Sequence, residues 1–335
     1  MGKWGSSSTP MLHHSNVIVM LAMTKVHDDT SLAGELKLIS GLTVKVSEPL
    51  ARYTSIKIGG PADYFIAVEN GAALERVLAL LRRHDTAYCL LGNGSNVLIS
   101  ERGVRGAVIH LVGEFKRVEW REEGEAVGVH VGAAYAVTQL VRQAARMGYA
   151  GLEFAEGIPG TVGGGLVMNA GAYGSEFDKV VDWVEGVTQA GRAVRFTRVE
   201  MTFSYRDSHL PAGTVVTRVG MRLGKAEATQ VSSKIQELVR KRKSSQPSGY
   251  PNSGSMFGNP PGDFAGRLIE AAGLKGRRIG QAQIAERHAN FMVNLGGAKA
   301  EDVRQLMELA RTEVRNQFAI ELVPEVRLLG EWPVS

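Results

Sequence analysis

Cysteine is almost missing from this chain: Cys89 is the single one in 335 residues. One thiol makes no intrachain disulfide, and no Cys/His cluster has zinc spacing, so neither a disulfide framework nor a metal site is expected. A reducing, cytoplasmic setting fits that usage. Long apolar runs are missing too. No stretch reaches the ~20 residues of a membrane span. Residues 16–23 are apolar but short and lack signal-peptide flanks. Aromatics make up 7% of the chain and are not interleaved with its one dense basic run, Arg240-Lys241-Arg242-Lys243. A stacking platform for nucleic acid is therefore not evident, and the run reads as a solvated helix end. There is no internal repeat, which argues against a solenoid.

What the chain does have is glycine, 40 residues of it, in short runs without period. Such runs suit loops whose backbone must approach a ligand closely. An apolar fraction of 44% and a charged fraction of 22% are those of a globular protein. The net charge is +5 and the pI about 9.3. Nucleic acid would suit that charge, and so would small ligands carrying phosphates and a carboxylate.

Apolar spacing divides the chain into an N-terminal extension and three units. Residues 1–40 show no lasting periodicity and read as a mobile extension, with Met23 an alternative start. Residues 41–112 combine a strand at 62–69, a helix stripe at Leu74, Val77, Leu78 and Leu81, and strands at 88–91, 97–99 and 107–111. Residues 113–225 hold an antiparallel pair at 115–120 and 126–131, a helix through Val137, Leu140, Val141, Ala144 and Ala145, and strands at 181–189 and 215–223. Residues 226–335 begin with the helix stripe Val231, Ile235, Leu238 and Val239. Residues 246–262, rich in Pro, Gly, Ser and Asn, read as loop. Helices at 263–273 and 300–318 flank a strand at 291–294, and a last strand spans 326–329. Strands and helices are mixed without regular alternation, so the class is α+β.

Two glycine loops stand out. Gly92-Asn93-Gly94-Ser95-Asn96 lies between apolar strands and suits either an anion-binding nest or a plain hairpin turn. Residues 157–165 and 169–174 have no Walker lysine and no Rossmann spacing. A tight crossover accounts for one such run; two runs together suit a dinucleotide better. Elsewhere, Tyr205-Arg206-Asp207-Ser208 offers an arginine fork for a carboxylate, or an Arg206–Asp207 ion pair. Ser255, in Ser253-Gly254-Ser255-Met256, is not a hydrolase elbow and also fits an ordinary turn. Glu325 opens the last strand, where partial burial would keep it protonated; solvation there is the plain alternative. His288-Ala289-Asn290 is a fourth polar spot, and a lone His is more often structural.

In order, GNGSN (92–96), GIPGTVGG (157–164), NAGAYG (169–174), YRDS (205–208), SGSMFGNPPG (253–262), GLKG (273–276), HANFMVN (288–294) and PEVR (324–327) resemble one family. It is the UDP-N-acetylenolpyruvoylglucosamine reductases, also called UDP-N-acetylmuramate dehydrogenases or MurB, in their second type. The resemblance implies a two-lobed FAD-binding domain of the vanillyl-alcohol-oxidase (PCMH) type plus a C-terminal α+β substrate-binding domain. It implies NADPH-dependent, FAD-mediated reduction of the enolpyruvyl group of UDP-N-acetylenolpyruvoylglucosamine to UDP-N-acetylmuramate, for peptidoglycan, by a cytoplasmic monomer. It carries over Arg206, Ser255 and Glu325 as catalytic. Gly92, Asn93, Gly94, Ser95, Asn96, Ile158, Pro159, Gly160, Thr161, Gly163, Gly164, Asn169, Gly171, Arg242 and Arg327 follow as FAD-binding, and Tyr173, Asn259 and His288 as substrate-binding. Two departures stand out: Ser245 and Gly258 occupy places where many relatives carry lysine or another long polar residue. Lys241, Lys243 or Lys275 is expected to compensate.

Overall fold

The structure, a computed structural model, describes residues 29–332. The expected extension therefore lies outside the described residues up to position 28. Its remainder forms a helix, Asp29–Lys37, which differs from the expectation. Leu32, Leu36 and Ile39, at spacings of four and three, are buried against the helix Gly71–Arg83 and the sheet below it. The stripe is three residues long among polar neighbours, too short to stand out as a period.

The first sheet runs in the order Leu42–Pro49, Pro61–Val68, Val104–Leu111, Tyr88–Leu90. Its first pair is antiparallel and the others are parallel. The helix Gly71–Arg83 buries Leu74, Val77, Leu78 and Leu81 as their spacing predicted. Its start is set by Asn70, whose side-chain oxygen accepts from the Ala73 N–H at 2.9 Å.

The second sheet is antiparallel, ordered Ala193–Thr197, Val181–Val187, Val215–Lys225, Ala126–Gly132, Val118–Glu123. The helix Val137–Arg146 buries Val137, Leu140, Val141, Ala144 and Ala145. Its core is continuous with that of the first sheet.

A third sheet, ordered Asn252–Ser255, Phe291–Asn294, Ala282–Ile284, Arg278–Ile279, packs with the helices Ala265–Ala271 and Ala300–Phe318 around a separate core. The strand Asn252–Ser255 falls inside the segment read as loop. Its partner strand, not its own composition, makes it extended.

The last strand, Arg327–Leu329, returns to the first lobe and pairs in parallel with Val97–Ile99, Arg327 opposite Val97. The strands on either side of residues 92–96 therefore do not pair with each other, and the hairpin alternative is excluded. The short helix Val162–Val167, opened by Thr161 as its cap, also went unread in the glycine-rich stretch. Because Leu36 is fully buried in the shared core, Leu36→Ala is expected to cost about 2–5 kcal/mol of unfolding free energy. Denaturant titration checks it; a cost under about 0.5 kcal/mol would show that this helix is not part of the core.

Candidate functional site

Between the two lobes lies a cavity of about 510 Å³. Both glycine loops line it, as do Arg206, Arg242, Ser255, Glu325 and Arg327.

The floor is residues 92–96. Among the described residues, the backbone N–H groups of Gly92, Asn93, Gly94, Ser95 and Asn96 donate to no protein acceptor. Those of Gly160 and Thr161 are likewise free. Seven unpaired main-chain donors at one cavity wall violate the usual satisfaction of the backbone, and they make a nest for an anion. Neighbouring elements hold the loop open. Gly94 has φ +58°, and a Cβ there would lie 2.2 Å from the Tyr53 carbonyl oxygen. The Gly94 carbonyl accepts from the Ser55 N–H at 2.9 Å. The Ser95 hydroxyl donates to the Pro159 carbonyl at 2.5 Å, tying one loop to the other. An FAD pyrophosphate fits this donor set. Gly163 has a packing reason: its Cβ would lie 2.9 Å from that of Ala133.

Arg242 projects from the end of the helix Ala228–Ser245, alone among the basic run in lining the cavity. Its stem lies on Gly157, where a Cβ would meet Arg242 Cδ at 2.7 Å. Burial pushes its pKa down, and Tyr173 and Glu156 oppose that shift. Arg327 is held through its N–H to the Asn96 carbonyl at 3.0 Å; burial lowers its pKa too, against the charge of Asp207.

Also lining the cavity, Arg206 Nε donates to Glu325 Oε1 at 2.7 Å, across 119 residues of sequence. Of the alternatives for Arg206, an ion pair with its neighbour Asp207 is not formed; its carboxylate partner is the distant Glu325. Arg206 sits in a left-handed turn, φ +61°, closed by Ser204 and Asp207. Its guanidinium also lies 4.9 Å from the centre of the Tyr205 ring. Glu325 is half-buried, and its partial burial raises its pKa; the Arg206 charge and hydrogen bond pull the other way without overcoming it. Its main chain is fixed by the Met256 carbonyl (2.8 Å) and by Asn96 Nδ2, which donates to the Glu325 carbonyl at 3.2 Å.

Ser255 ends the strand Asn252–Ser255, and its hydroxyl has no hydrogen-bond partner among the described residues. Two hydroxyls seat that strand. Ser55 donates to the Asn252 carbonyl at 2.6 Å, and Ser253 donates to the Val97 carbonyl at 3.0 Å.

Four expected site residues do not line the cavity. Asn169 is fully buried, where its amide donates to the Ser204 carbonyl at 3.0 Å and accepts from the Asp178 N–H at 3.0 Å. That bond supports the turn bearing Arg206. The Tyr173 phenol donates to the Leu238 carbonyl at 3.3 Å beside Arg242. The Asn259 side chain accepts from the Ala265 N–H at 3.1 Å, and His288 stands edge-on to Phe291 at 4.9 Å. Of the lysines expected to compensate, Lys241 pairs with Glu237 at 2.7 Å and Lys275 with Glu270 at 2.5 Å. Residues 210–214 and Gln189 line one end of the cavity, and nothing in their composition sets them apart from other loops. Cys89 is buried and its thiol pushed up to about 12, so it is unreactive.

A carboxyl whose folded pKa is raised binds its proton more tightly in the folded state, so stability falls as pH climbs from the ordinary carboxylate range through the raised value. Glu325→Gln removes that loss. Across this window the variant is expected to gain stability relative to the parent, read from denaturant midpoints at stepped pH. A constant difference would contradict the burial of a proton on Glu325.

Comparison with known proteins follows this geometry. The family described as "FAD binding domain" matches residues 62–197, and "UDP-N-acetylenolpyruvoylglucosamine reductase, C-terminal domain" matches residues 246–329. UDP-N-acetylenolpyruvoylglucosamine reductase 2 of Symbiobacterium thermophilum is 45% identical over 87% of this chain and 93% of its own length. The reductase of Rubrobacter xylanophilus is 45% identical over 86% of this chain and 95% of its own. The crystal structure of the Thermus caldophilus reductase superposes with a TM-score of 0.73 at 38% identity, covering 86% of this chain and 98% of that one.

Proposed function

We infer the function from membership: this chain belongs to the UDP-N-acetylenolpyruvoylglucosamine reductase family. It is a flavin-dependent oxidoreductase that uses NADPH to reduce the enolpyruvyl group of UDP-N-acetylenolpyruvoylglucosamine, giving UDP-N-acetylmuramate for peptidoglycan. Its fold is the α+β, vanillyl-alcohol-oxidase-type FAD domain with a C-terminal domain. We propose lobe boundaries at 41–112 and 113–225 and a substrate domain at 226–335, a monomeric cytoplasmic protein, and a role in cell shape and division. Among the described residues no helix is long and apolar enough to cross a membrane.

The observation that carries the site assignment is convergence: Arg206, Ser255 and Glu325, from three distant segments, line the same cavity as the seven free N–H groups. Those N–H groups would hold the FAD pyrophosphate, with Arg242 and Arg327 beside the cofactor. When bound, FAD would supply the redox chemistry, the two-electron transfer from NADPH to the sugar's enolpyruvyl group. The chain's own residues manage charge and one proton. Negative charge develops on the carbon next to the carboxylate and spreads into it. Arg206 faces that charge with its guanidinium, and protonated Glu325 donates a hydrogen bond to it. Ser255, whose hydroxyl is uncommitted, gives its proton to the α-carbon. A serine hydroxyl is a weak acid, but an enolate is basic enough to take its proton when the two are aligned.

The purified protein is expected to be yellow, to bleach with NADPH, and to recover on adding the enolpyruvyl sugar nucleotide. Recovery with O₂ alone would indicate an oxidase on the same scaffold. Ser255→Ala is expected to bleach at the parent rate and to lose sugar-driven recovery by 10²-fold or more, about the contribution of a positioned general acid; equal loss in both half-reactions would make Ser255 structural. Gly94→Ala places a Cβ against the Tyr53 carbonyl at 2.2 Å. It is expected to yield colourless protein, and full flavin content after purification would refute the cradle.

A further inference from the structure

We propose that Asn290 is a positioning residue for this reaction, holding Ser255 and Glu325 in register with each other; the inference rests on the catalytic reading above. The strand Asn252–Ser255 stops pairing at Ser255, which lies opposite Phe291. Past that point no strand continues the ladder, yet the backbone of Met256 and Phe257 is buried and needs partners. Asn290 supplies them. Its Nδ2 donates to the Phe257 carbonyl at 2.7 Å, and its Oδ1 accepts from the Phe257 N–H at 3.0 Å. Its own carbonyl accepts from the Met256 N–H at 2.8 Å. A carboxamide has one donor and one acceptor set like those of a peptide unit, so the side chain acts as one more residue of strand.

The other side of the same two residues carries Glu325. The Met256 carbonyl accepts from the Glu325 N–H at 2.8 Å and from the Val326 N–H at 3.3 Å, and Phe257 bridges Pro324. Met256 and Phe257 are thus pinned by Asn290 on one edge and by the Glu325 segment on the other. Ser255 is covalently next to Met256, so the proton donor and the carboxyl share a frame set by one amide. Asn290 is 3% exposed and does not line the cavity, so its effect on the reaction passes through that frame.

Leucine at this position keeps the branched heavy-atom skeleton and removes both bonds to Phe257. The test measures the two half-reactions separately by stopped-flow: bleaching by NADPH and recovery with the enolpyruvyl sugar nucleotide. The parent must first show both. Failure of the parent to recover with the sugar nucleotide refutes the reductase reading itself. Given a competent parent, Asn290→Leu is expected to keep flavin content and bleaching rate and to lose about a hundred-fold in recovery, the scale of a small misplacement of reacting groups. In a Ser255→Ala background the same substitution is expected to cost clearly less than a hundred-fold, because one of the two groups it holds in register is already gone. Recovery at the parent rate, proportional loss of bleaching and recovery, or a full hundred-fold further loss in the Ser255→Ala background would each overturn the proposal. If Asn290→Leu does not retain flavin, Asn290→Asp carries the same test, since it keeps the acceptor for Phe257 and nearly the original volume.

Discussion

The arrangement depends on a stretch of backbone kept from satisfying itself. Buried N–H groups normally find acceptors, yet among the described residues those of 92–96, Gly94 buried among them, meet no protein acceptor, five in succession. Such a loop persists only if its surroundings over-determine it. Ser55 holds the Gly94 carbonyl, Ser95 reaches across to Pro159, and Asn96 is bonded through both its backbone and its side chain. The close approach of Gly94 to the Tyr53 backbone leaves no room for a side chain. Glycine here serves fit first and conformational freedom second.

The bonds that restrain the loop also place Glu325 and Arg327. Asn96 takes the Arg327 N–H and donates to the Glu325 carbonyl, so the last strand is registered on residues 92–96. The parallel pairing of Arg327–Leu329 with Val97–Ile99 extends that registration. Ser253 bonded to Val97, and Ser55 bonded to Asn252, bring the strand of Ser255 onto the same frame. The glycine loop and Ser255 are therefore positioned by one network, which gives the fixed geometry that the proposed proton transfer requires.

Electrostatics complete the division of labour. Arg242 and Arg327 are partly buried cations, and burial lowers both pKa values against the opposing charges of Glu156 and Asp207. Bringing an anion between them offsets that desolvation. Glu325 runs the opposite way: its partial burial beside Arg206 raises its pKa. Two kinds of charge control share one cavity because burial acts in opposite senses on acids and bases.

Local pattern alone determined the helices Gly71–Arg83, Val137–Arg146 and Ala300–Phe318, which carry their own apolar period, and the strand Phe291–Asn294, a short apolar run. The glycine loops and the short polar motifs were legible as well, since their residue types restrict what the backbone and the chemistry can do. The helix Asp29–Lys37 and the strand Asn252–Ser255 were not, because partners elsewhere in the chain hold them. Only the tertiary structure decided that Arg206 pairs with Glu325 rather than with Asp207, that Arg242 alone of its basic run turns inward, and that Asn169 and Asn290 spend their amides on backbone. A hydrogen bond spanning 119 residues leaves no trace in local composition. It exists because the last strand crosses back to the first lobe, and that crossing depends on which sheet edge is open once everything else has folded.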